Sequence, residues 1–129
     1  MNGQELERVI HRLMEKDQAS VFALLDIATE RLRQIEGEGW TLEHDDNHER
    51  GTMAMAAAAY AYNSAVCDLS RKDNRASAPA WWPWDFRWWK PSSRARDRVK
   101  AGALLVAEMS RWLRSAPVAP GPGALEEGA

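Results

Sequence analysis

Cysteine is almost absent from this 129-residue chain. Cys67 stands alone, so no disulfide can form within the chain, and a reducing, cytoplasmic setting is expected. Neither charge sign dominates: the formal net charge is −2, which argues against an extended nucleic acid as partner, where a basic footprint is needed. No apolar run approaches the length of a membrane span. The opening MNGQELERVIHRLMEK carries acids early and lacks an apolar stretch, so it does not read as a signal peptide. No segment alternates as a half-buried strand does, and no internal repeat is present. Also missing are the HExxH and EF-hand spacings of metal sites and the GxSxG of a hydrolase elbow. No catalytic residue and no cofactor is therefore assigned.

Tryptophan is what the chain has in excess. Trp81, Trp82, Trp84, Trp88 and Trp89 fall in the single run WWPWDFRWWKP. Each ring is a large apolar face with one N–H that wants a partner. The run either caps a core or offers flat walls to a ligand.

Helical spacing of Leu6, Val9, Ile10, Leu13 and Met14 predicts a first helix over about 3–16. Asp17 or Ser20 can cap a second, whose stripe is Val21, Leu24, Leu25, Ala28, Leu32 and Ile35 and which Gly37 and Gly39 end. A third helix, about 52–69, centres on MAMAAAAYAY. Its alanines favour helix and allow close approach of another helix, as in a homodimer packed on Met53–Tyr62. Tyr60 and Tyr62 supply bulk on different faces, and Cys67 falls on this helix as a buried residue. Residues 71–80 read as a loop, and Pro83 and Pro91 forbid a helix across the tryptophan segment. Ser92 or Ser93 caps a last helix, about 93–115, with Val99, Ala103, Val106 and Leu113 on one face. The expectation is one mainly-α domain over 1–115, a small bundle of about four helices with a long acidic loop. The Pro/Gly/Ala-rich 116–129 is expected to be a disordered tail.

Two segments could carry chemistry. The loop GWTLEHDDNHE holds His44, Asp45, Asp46 and His48. Imidazole and carboxylate can hold a divalent ion, with His44, Asp45 and His48 as candidates, which would support a metal-dependent hydrolase. Equally, Asp45 and Asp46 can cap the Ala-rich helix, whose N-terminus favours negative charge. The second is the tryptophan run with the KPSSRARDR that follows. Indole faces stack on bases, arginines bind phosphate by paired hydrogen bonds, and a helix N-terminus attracts anions. The plainer alternative is a tryptophan lid over the bundle with solvated arginines.

The stretches IEGEGWTLEHDDNHERGTMAMAAAAYAY and WWPWDFRWWKPSSRARDRVKAGALLVAEMSRW resemble a family of small proteins of tailed phages and prophages. In that family an EGWT–HDD–H loop, a WPWD–WWKP segment and a VKAGAL helix recur in this order; the likeness covers about 30–114. A more distant resemblance is to the repeat domain of ryanodine receptors. Gly39, Trp40, Asp45, Asp46, Pro83, Arg96 and Lys100 fall in compatible places. Thr41-Leu42 replaces the Tyr-Gly of that repeat, and its His-Pro is missing. Bacterial and phage relatives of the repeat are associated with nucleotides. The resemblance implies a phage accessory protein that sequesters a nucleotide-like host immune signal. Trp40, Trp82, Trp84, Trp88 and Trp89 would stack on the base, and Lys90, Arg94, Arg96 and Arg98 would hold phosphates. Asp45, Asp46 or His44 would bond ribose or base edges, and Asp85 is a further ligand-binding candidate. The alternative is a module, itself a homo-oligomer, that uses its Trp/Arg surface to inhibit a host defence protein.

Overall fold

The computed structural model describes residues 2–37, 47 and 51–115. Among them the chain is mainly α, with five α-helices, one 3-10 turn and no strand. The helices are α1 (Gly3–Lys16), α2 (Gln18–Gly37), α3 (Thr52–Ala65), α4 (Asp68–Ala76) and α5 (Arg94–Arg114). The 3-10 turn is Phe86–Trp88. Most of the acidic loop, with Trp40, His44, Asp45, Asp46 and His48, and the tail 116–129 lie outside the described residues. Among the described residues, no helix is long and apolar enough to cross a membrane.

Local chemistry sets the helix ends. Asn2 caps α1 by accepting the Glu5 amide at 2.8 Å. Asp17 accepts the Ser20 amide at 3.2 Å and the Ser20 hydroxyl, and these bonds hold its carboxyl below the usual range. Ser93 caps α5 by accepting the Arg96 amide at 3.1 Å, as its position before the basic run suggests. At α3 the cap is Gly51, in the left-handed region at φ 91°, with no side-chain oxygen to offer. Its amide donates instead to Glu108 Oε1 of α5 at 2.5 Å.

The core lies between α3 and α5. Ala56, Ala57 and Ala59 pack with Ala101 and Leu104, and Tyr60 and Trp89 complete the cluster. Small side chains let the two helices close on each other, so the face of Ala56, Ala57 and Ala59 is filled within one chain, while Met55, Ala58 and Ala61 face outward. Tyr60 is buried and Tyr62 exposed, as their opposite faces suggest.

Five expectations are corrected. The Ala-rich helix stops at Ala65 instead of running to 69, and a separate α4 occupies much of the expected 71–80 loop. Arg94 explains the break: its guanidinium takes the carbonyls of Ser64 and Val66, at 2.9 and 2.7 Å, that a continuing helix would use. Cys67 is accordingly exposed, at the N-cap of α4. On α5, Val106 is exposed, the buried face running instead through Ala101, Ala103, Leu104 and Ala107. Finally, the apolar stripe of α2 does not face the bundle. Leu24, Leu25 and Leu32 are exposed, whereas Glu30, Arg31 and Gln34 are buried. Alpha2 approaches α5 so closely that a Cβ on Gly102 would lie 2.6 Å from Ile27 Cδ1.

Candidate functional site

The tryptophan segment divides into an inner and an outer half. Trp89 is 5% exposed and stacks on Tyr60, with ring centroids 4.7 Å apart. Its indole N–H donates to the Asn74 carbonyl at 2.5 Å. Trp82 meets Trp89 edge-on at 5.0 Å and Tyr60 at 5.7 Å, and Trp84 meets Trp82 at 5.5 Å. Trp82 and Trp84 are half-buried against the core. These three rings form the lid that composition alone could suggest.

Trp81, Phe86 and Trp88 stay outside, Trp88 with 48% of its surface exposed. Trp81 rests edge-on against Tyr62 at 6.2 Å. Trp88 has two cations over its ring, the Arg87 guanidinium at 5.3 Å and the Lys90 ammonium at 5.8 Å.

The turn that carries Phe86, Arg87 and Trp88 is fixed at both ends. Asp85, itself exposed, accepts the Arg87 amide at 2.9 Å, and its carbonyl accepts the Trp82 indole N–H at 3.2 Å. The Lys90 amide donates to the Tyr60 hydroxyl at 3.0 Å, and the Lys100 ammonium donates to the Lys90 carbonyl. Lys100 also stands 5.4 Å from the Tyr60 ring centre; burial pushes its pKa below the usual lysine range, against the opposing pull of Asp97. So the outer half sits on a backbone locked to the core.

Beneath it lies a buried polar network. Asp97, fully buried, accepts from Asn63 Nδ2 at 2.9 Å, from the Ser92 amide at 2.8 Å and from Arg71 Nη1 at 3.3 Å. Arg71 also donates to the carbonyls of Asn63 and Ser92, at 2.9 and 2.5 Å. Asn74 reaches Asn63 at 3.0 Å and so links the network to the carbonyl that holds Trp89. Neither Arg71 nor Asn63 stands out in the sequence. Their spacing, i and i+8 across a helix break, gives no local signal.

The arginines expected at phosphate are held within the protein. Arg94 closes α3 and pairs with Asp68 at 2.7 Å. Arg96 donates to Glu30 Oε1 at 2.6 Å; Arg33 shares that carboxylate, with 2.5 Å to the same oxygen. The Glu30 side chain is fully buried between them. Arg98, exposed, reaches the Ser64 hydroxyl and carbonyl at 3.3 Å. A shallow pocket of about 400 Å³ is lined by Asp26, Glu30, Arg33, Ser93, Arg96 and Val99 among others, and by no residue of the tryptophan segment. The structure thus gathers Trp82, Trp84 and Trp89 with Tyr60, and separately Trp88 with Arg87 and Lys90. Among the described residues no cluster of His, Cys, Asp or Glu could hold a metal ion.

Comparison with protein-family models, with curated proteins and with solved structures gave no match.

Proposed function

We propose that this protein is a binding module that docks on another protein through the Phe86–Trp88 turn. The observation that carries the reading is Trp88, half exposed and flanked by Arg87 and Lys90 on a turn fixed to the core. Tryptophan and arginine dominate the energetics of protein interfaces. A turn already held in shape gives up little conformational freedom on binding. The partner would offer an apolar slot for the indole and carboxylates for the two cations. The resemblance to small phage proteins supports screening host defence proteins first.

The nucleotide reading draws on the same ring. Its phosphates would fall to Arg87 and Lys90, because Arg94 and Arg96 already donate inside the protein. Calorimetry against cyclic and linear nucleotides separates the two readings. Tight binding of a nucleotide, lost in Trp88→Ala, would replace the docking proposal. Absence of binding by a folded protein, with a protein partner whose affinity depends on Trp88, is the expected result.

A further inference from the structure

Helix α1 buries none of its residues. Leu6, Val9, Ile10 and Met14 are all exposed, and with Leu13 they stand on one face at 3.6 residues per turn. A helix of this length is marginal in water unless something covers its apolar side. The exposed Leu24, Leu25 and Leu32 of α2 follow just beyond the Asp17 joint.

We infer that a second copy of this chain covers that face, the two α1 helices pairing antiparallel. Charge placement selects this occupant and this direction. At 100° per residue, Glu5, Arg12 and Lys16 line one flank of the apolar stripe, acid at the start of the helix and base at its end. In an antiparallel pair equivalent flanks face each other. With the stripes centred near Ile10, Leu6 of one copy packs on Leu13 of the other, and Glu5 comes beside Lys16. The same register meets twice, once at each end of the interface. A parallel pair would set this flank against the opposite one, where Glu7 stands about 3 Å along the axis from Glu5 and adds like charge. The interface is separate from the Trp88 turn, so it stands whether or not that turn binds a protein.

Sedimentation of the full-length chain over a concentration series tests this, with circular dichroism as a check on folding. Wild type should show a reversible monomer–dimer equilibrium. Ile10→Glu, which puts an unpaired charge into the seam, should be monomeric with the bundle of α2 to α5 still folded, since residue 10 supports no core, and with helicity lowered by no more than α1 contributes. Glu5→Lys and Lys16→Glu should each weaken the dimer several-fold, and the double variant should recover most of the loss. A monomeric wild type, or a dimer indifferent to Ile10→Glu, overturns the inference. Failure of the double variant to recover overturns the antiparallel register.

Discussion

The Asp97 carboxylate meets the Arg71 guanidinium at 3.3 Å inside the bundle, Asp97 fully buried and Arg71 8% exposed. The pair joins α4 to α5, and each group also bonds to Asn63 and Ser92. Four segments are thereby tied at one point under the tryptophan lid.

Removing one partner of such a pair leaves an uncompensated buried charge. Asp97→Ala should therefore cost about 3–5 kcal/mol in urea unfolding. A cost near that of a surface substitution would mean that the network does not hold the segments together.

Neighbouring tryptophans should behave oppositely. Trp89→Ala empties a core position and should cost about 3–5 kcal/mol. Trp88→Ala, at an exposed position, should stay within about 0.5 kcal/mol of wild type. Thermal melts of both variants check this; equal losses would contradict the division into inner and outer rings.

That division was only half legible in the sequence. The WWPWDFRWWKP run announces aromatic bulk and, through its prolines, the lack of a helix. Which ring goes inward depends on Tyr60 and Asn74, and neither contact has a local signature. By contrast, α1 and α5 were readable almost to the residue, because Ser93 and the apolar spacing act within one or two turns. The break at Val66 was not readable, since the arginine that makes it is 28 residues away. The outward stripe of α2 misled for a related reason. Glu30 pairs with Arg96 across 66 residues, and so a charged face is buried where an apolar one was expected.

Gly102 and Ile27 should show coupling. With Ile27 present, the Cβ of Gly102→Ala meets Cδ1 and Cγ1 at 2.6 and 2.8 Å, so strain of about 1–3 kcal/mol should outweigh the helix-propensity gain of about 1 kcal/mol. In an Ile27→Ala background the same substitution should stabilise. A double-mutant cycle by urea unfolding reads the change of sign, and additive effects would contradict the close approach of α2 and α5.

Cys67 should be more reactive than an ordinary thiol. Its contact with the Ser70 hydroxyl at 3.4 Å, helped by the Ser70 amide, holds its pKa below the usual value. A lowered pKa means that the thiolate is present at lower pH, so alkylation should rise through a midpoint below that of a free cysteine. Ser70→Ala should move the midpoint up, though not fully, because the backbone hydrogen bonds remain. An unchanged midpoint would remove the hydroxyl as the cause.

The docking proposal is tested most directly by titrating one protein partner, captured on immobilised wild-type chain, against wild type, Trp88→Ala and Arg94→Ala. Trp88→Ala should weaken binding by at least about 2 kcal/mol, roughly thirtyfold, as loss of an interface hot spot does. Arg94→Ala, checked to be folded, should bind as wild type does, since its guanidinium serves the α3 end. Equal affinity of Trp88→Ala and wild type would contradict the account.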